Sequence, residues 1–261
     1  MPQDFPKRIE ALAADLESQG RRVQALLELA FDAFFNKDGT KAIQVNSDDD
    51  AIDSADVALE KACVSLLTDA TRETASLGEA NLRRVLTIVK VNNELERIAD
   101  GAVDISALIS PTALPGHNHH TAAPLPAGLT GKHMGTGFTL SAQSARRAIP
   151  PTFRMMANSV VGILRDTTIA VSRSDAALAK VVLQSQHCVT AFKDAILRDA
   201  EQQIAKGTMP ADFAFLLHEV ASQCEIVADH CTNIAEQVIY ASTGAIVRHT
   251  PTQWIEVPRQ G

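Results

Sequence analysis

Residues 91–105, VNNELERIADGAVDI, and residues 220–234, VASQCEIVADHCTNI, carry one pattern twice. The apolar residues Val91, Leu95, Ile98, Ala102, Ile105 and Ile109 follow gaps of 4, 3, 4, 3 and 4. Val220, Cys224, Val227, Cys231, Ile234 and Val238 do the same, each displaced by 129 positions (220 − 91 = 129). Five of the paired positions are identical: Val91/Val220, Glu96/Glu225, Ala99/Ala228, Asp100/Asp229 and Ile105/Ile234. Such alternating gaps put the apolar side chains on one helix face, and duplication is the simplest account of their recurrence. Leu95, Ile98, Ile105, Cys224, Val227, Cys231 and Ile234 are therefore predicted core residues.

Two more helical patterns precede each copy. Residues 7–36 hold Ile9, Leu12, Leu16, Val23, Leu27, Ala30 and Phe34 at helical spacing, and Lys37-Asp38-Gly39 supplies a stop. Helices are expected over about 40–74 and 76–109 in the first half, and over about 152–173, 176–206 and 211–243 in the second. Between the halves lie Pro111, Pro115, Pro124, Pro126, Pro150 and five glycines, a density at which no helix or strand is expected to survive. The predicted fold is all-α: two tandem three-helix bundles, residues 1–110 and 151–245, joined by a long Pro/Gly-rich linker, 111–150, and followed by a tail, 246–261.

Composition agrees with this class and narrows the function. The 261 residues are 46% hydrophobic but 4% aromatic, with a mean hydropathy of −0.00, a balance suited to helices packed on helices in a water-soluble protein. No uncharged apolar run reaches the about 18 residues of a membrane span, and the amino terminus has no basic-then-apolar leader, so a cytoplasmic protein is expected. Cys63, Cys188, Cys224 and Cys231 form no CxxC pair and read as reduced, mostly core thiols. Of the net charge of −7, residues 1–110 hold 20 acids against 12 Lys and Arg, the remainder 11 against 12. Nucleic acid is not an expected partner, because phosphate contact needs a clustered basic face. A cation or a basic protein surface suits the acidic half.

The acids are patterned. With about 100° per residue, Glu96, Asp100 and Asp104 fall on the side of their helix away from the apolar stripe, as do Glu225, Asp229 and Asn233 on theirs. Asp49, Asp53 and Glu60 share a face of the preceding helix. Carboxylates four apart repel by a few tenths of a kcal/mol (roughly 0.2–0.5) unless something neutralises them. Two adjacent helices of this kind could gather enough oxygens for a hard or borderline cation, although an acidic face is also what a solvated surface looks like. Asp49, Asp53, Glu96, Asp100 and Asp104, with Glu225, Asp229 and Asn233, are the candidate metal ligands; iron, zinc and manganese are the candidate ions. His117, His119, His120 and His133 in the linker could chelate weakly. Catalytic constellations are missing: there is no GxxxxGK, GxSxG or HExxH, and no Glu is followed by His three residues on, as a ferritin-like di-iron site requires.

Residues 92–105 resemble the signature helix of the PhoU family, which reads approximately LERIxDxAxNI. Residues 225–240 are similar at Asp229-His230, Asn233-Ile234-Ala235-Glu236, and Asp49-Asp50-Ala51-Ile52-Asp53 resembles that family's acidic motif on the preceding helix. The resemblance implies paired three-helix bundles, often dimeric, with iron or zinc held on the acidic faces in some members. It also implies negative control of phosphate uptake through contact with the phosphate transporter's ATPase subunit and a sensor histidine kinase. Three departures stand out. Gln184-Ser185-Gln186-His187-Cys188 occupies the place of the second acidic motif, so a second metal site would need His187 or Cys188 as substitutes. Asp104 replaces the usual Asn, and the linker is longer than the family's turn. The alternatives to a phosphate regulator are a metal-binding or metal-dependent helical protein unrelated to phosphate, and a structural helical adaptor.

Overall fold

The computed structural model describes residues 4–109, 141–244 and 246–247. Its helices are α1 (Phe5–Asn36), α2 (Gly39–Arg72), α3 (Gly78–Ala107), the single turn α4 (Ala142–Ala145), α5 (Pro151–Arg173), α6 (Ala176–Ala205) and α7 (Ala211–Thr243), and no strand occurs among the described residues. α4 lies in the stretch expected to hold no helix. Ser141 caps it through Ser144 N–H, and Asp212 of α7 accepts from Ser141 N–H at 2.8 Å and Ser144 Oγ at 2.6 Å, so local caps sustain a turn where propensity does not.

The α1–α2 and α5–α6 corners are built alike. At the first, Lys37 adopts the left-handed conformation (φ 54°), Asp38 N–H returns to Ala33 O at 2.9 Å, and the Asp38 carboxylate caps Thr40 and Lys41 N–H. At the second, Ser174 (φ 50°), Asp175 N–H to Ala170 O at 2.9 Å and the Asp175 cap on Ala177 and Leu178 repeat every element. The chain reverses in two residues, so consecutive helices lie antiparallel. The left-handed residue at the predicted stop is Lys37 rather than Gly39, which already belongs to α2.

α1, α2 and α3 pack together as one bundle, and α5, α6 and α7 as another. The bundles dock through α1 on α5 and α3 on α7. Their cores are continuous, and every predicted core residue is buried, none more than 3% exposed. Glycine marks both crossings. A Cβ on Gly20 of α1 would sit 2.9 Å from Thr168 Cγ2 of α5, and one on Gly101 of α3 would sit 3.1 Å from Val227 Cγ2 of α7. Backbones approach there because nothing intervenes.

The α3–α7 seam has its own pseudo-twofold. Glu94 accepts from Asn233 Nδ2 at 3.1 Å, and Asp104 accepts from Gln223 Nε2 at 3.2 Å. Residues 94 and 223, and residues 104 and 233, are repeat equivalents (223 − 94 = 129; 233 − 104 = 129). The same contact is thus made twice in opposite senses, which fixes the two helices as antiparallel. His230 Nδ1 completes the first copy, 2.7 Å from Glu94 Oε2.

Candidate functional site: a carboxylate cluster between α2 and α3

Because α3 is packed by α1, α2 and α7, its free face narrows to one stripe, Leu82, Leu86, Lys90, Asn93 and Arg97. Glu96, Asp100 and Asp104, placed on the outside by helical angles alone, are half-buried. That is a correction to the single-helix construction, and it changes the chemistry. Burial first, and then the charges of Asp100, Asp56 and Asp53, push the Glu96 carboxyl up to about 7. Asp56 is likewise raised, by burial and by Glu60 and Asp53, although the Asn92 amide opposes the shift. Asn92, 2% exposed, donates to Asp56 Oδ1 at 2.6 Å and to Asp56 O at 3.1 Å. Asp53 and Asp56 of α2 therefore confront Glu96 of α3, with Glu60 beside Asp56 and Asp100 beside Glu96 on their own helices. Asp49 is buried, 3% exposed, one turn before Asp53. A cleft of about 360 Å³ opens beside the cluster, lined by Asp56, Glu60, Lys90, Asn92, Asn93 and Glu94 among others.

Not all the predicted ligands meet there. Asp104 is paired with Gln223 at the α3–α7 seam, and Asn233 with Glu94 at the other end of that seam. Glu94 is lowered: burial alone would raise it, but His230 and Asn233 donate to it and outweigh that cost. Among the described residues no three His, Cys, Asp or Glu side chains are placed as a finished ligand set. What the first repeat does offer is carboxylate oxygens on two facing helices, mutually destabilised when ionised, the donor type that hard cations take.

The second repeat is built differently at the same place. Its α5–α6 corner lies 137 positions after the first (175 − 38 = 137), so Asp49, Asp53 and Asp56 correspond to Gln186, Thr190 and Lys193. Those three side chains hold the acids of α7. Lys193 Nζ lies 2.6 Å from Glu225 Oε2, Thr190 Oγ1 donates to Glu225 Oε1 at 3.0 Å, and Gln186 donates to Asp229. Lys193 and Thr190 hold Glu225 below its ordinary range, whereas burial and Glu225 leave Asp229 raised. An ammonium already neutralises Glu225, and neutral donors occupy Glu225 Oε1 and Asp229 Oδ1; this donor set does not fit a metal. His187 and Cys188 are both exposed.

Sequence reasoning passed over Lys193, Thr190, Asn92 and the His230–Glu94 pair. The signal for the first two was the 137-residue offset, which differs from the 129 of the third helices because the first repeat is eight residues longer between these points (137 − 129 = 8). The linker histidines, His117, His119, His120 and His133, lie outside the described residues.

The fold and site define a class: tandem three-helix bundles with an acidic face on the second and third helices of the first repeat. The sequence profile described as the PhoU domain matches residues 16–109 and 153–238. The chain belongs to the PhoU family. It is 24% identical over 240 residues to the phosphate-specific transport system accessory protein PhoU homolog 1 of Thermotoga maritima, covering 92% of this chain and 89% of that one. It is 26% identical over 247 residues to PhoU of Serratia marcescens, covering 94% and 87%. Among solved structures, PhoU from Streptococcus pneumoniae superposes with a TM-score of 0.74 at 19% identity, over 94% of this chain and 99% of that one. PhoU from Pseudomonas aeruginosa gives 0.71 at 22%, over 92% and 100%.

Proposed function

We propose that this protein restrains phosphate uptake and phosphate-responsive signalling by reversible protein contact rather than by catalysis. The observation that carries this is family membership in both repeats, with relatives described as accessory to phosphate-specific transport over nearly their whole length. The partners proposed are the phosphate transporter's ATPase subunit and a sensor histidine kinase, the site of action is the cytoplasm, and the working form is a homodimer. No helix among the described residues is long and apolar enough to cross a membrane, in keeping with action by contact. The carboxylate cluster of the first repeat is the proposed site for a divalent or trivalent cation, iron, zinc or manganese. Asp53, Asp56, Glu96 and Asp100 would hold it, and it would neutralise and rigidify the α2–α3 face that a partner meets. The second repeat, closed by Lys193, would take none.

Deleting the gene is expected to raise phosphate uptake in replete medium and to derepress phosphate-responsive transcription; unchanged uptake and transcription would exclude the reading. A structural adaptor would instead capture partners unrelated to phosphate from replete cells.

A further inference from the structure

Where the end of α1, the α4 turn and the start of α5 meet, a cavity of about 330 Å³ is lined by Phe35, Lys37, Arg146, Arg147, Pro150 and Arg154, among others. It lies outside the carboxylate cluster, and four of these six residues are cationic. The ion pairs formed among the described residues use none of the four. Asp32 attracts Arg154 at a distance but is committed to Lys41. The sequence beyond the described residues offers little relief: residues 110–140 contain no Asp or Glu, and residues 248–261 only Glu256.

Three of the cations, Lys37, Arg147 and Arg154, are held in place. Lys37 Nζ donates to Ala145 O and, at 2.6 Å, to Arg147 O, pinning the segment that carries Arg146 and Arg147. Asp212 anchors the other side of that segment through Ser141 and Ser144. The Arg154 guanidinium lies 4.2 Å from the Phe35 ring centroid, and that of Arg147 lies 5.6 Å from Phe213. Burial lowers the Lys37 pKa, a cost that an anion in the cavity would offset. The start of α5 borders the same cavity with no acid in its first turn, but Pro150 and Pro151 have no N–H and Phe153 N–H is bonded to Pro150 O at 3.0 Å, so the side-chain cations are the donors there. Guanidinium forks match the tetrahedral oxyanion of a phosphoryl group. The space equals that of about ten waters, too large for one such group and ample for two or three in a chain.

We propose that this cavity binds the di- or triphosphate moiety of a small anion, either inorganic or part of a nucleotide, at the junction of the two repeats. The inference is independent of the regulatory reading, since it rests on charge and shape alone. Isothermal titration of the full chain in divalent-free buffer, with pyrophosphate, tripolyphosphate, ADP and ATP, tests it. One saturable site per chain is expected, weakened about tenfold or more in Arg146→Gln/Arg154→Gln as charge-assisted contacts are lost. Pyrophosphate binding as tightly as ADP assigns the phosphate chain alone, whereas tighter ADP adds recognition of the nucleoside. Three results overturn the proposal: no binding by any of the four, binding undiminished in the variant, or citrate binding as tightly as tripolyphosphate. Circular dichroism of the double variant guards against misfolding, and if it unfolds, the single Arg146→Gln, at an exposed position outside the long helices, gives the same reading.

Discussion

At the residue scale, Glu96 determines how the acidic cluster responds to pH. Folding raises its pKa from 4.5 to about 7, so between those values the folded protein keeps a proton that the unfolded chain has released. A group bound more tightly to its proton in the folded state loses stability as pH rises through that window. Thermal melts from pH 5 to pH 8 should therefore show the wild type losing stability relative to Glu96→Gln, which keeps the shape without the charge. Manganese should recover more of that loss at pH 8 than at pH 5, because protons and metal compete for the same oxygens. Parallel pH profiles for wild type and variant would show that Glu96 is only a solvated surface acid. Lys193 is the contrasting residue: it gives Glu225 of the second repeat a positive partner from the protein itself.

At the element scale, the two helix corners are the most local piece of evidence for duplication. Asp38 and Asp175 each accept two first-turn N–H groups, all at 2.9–3.2 Å. Asp38→Ala and Asp175→Ala should each cost about 1 kcal/mol, a fall in Tm of about 2–4 °C for a chain of this size. Equal losses at the two sites would follow from their equal geometry. A variant that melts like the wild type would show that the corner is held by core packing and not by the cap.

At the scale of the whole molecule, two glycines set how closely the repeats dock. Ala in place of Gly20 gains about 1 kcal/mol in helix propensity but drives a methyl against Thr168 Cγ2, a branched and stiff side chain. Overpacking of this kind costs about 1–3 kcal/mol, so Gly20→Ala should be net destabilising. Thr168→Ser removes the offending methyl, and a double-mutant cycle in denaturant should show it rescuing Gly20→Ala; additive effects would mean that α1 and α5 slide apart instead of clashing.

The sequence by itself determined the helical class, the duplication and the core, because a heptad stripe such as Val91 to Ile109 is a property of one helix and needs no partner to be read. It also marked Asp53, Glu96 and Asp100 as acids in excess. Only the tertiary structure decided which of them face each other. Helical angles put Glu96 and Asp100 outside together with Asp104, and Glu225 and Asp229 outside together with Asn233, but an angle about one axis cannot say what packs beside it. α2 and α7 flank α3, which buries the first two acids and draws Asp104 and Asn233 to the repeat seam. Lys193 was hidden for the same reason: its tie to Glu225 crosses from α6 to α7 over 32 positions, and only the packing of those helices brings the ammonium to the carboxylate.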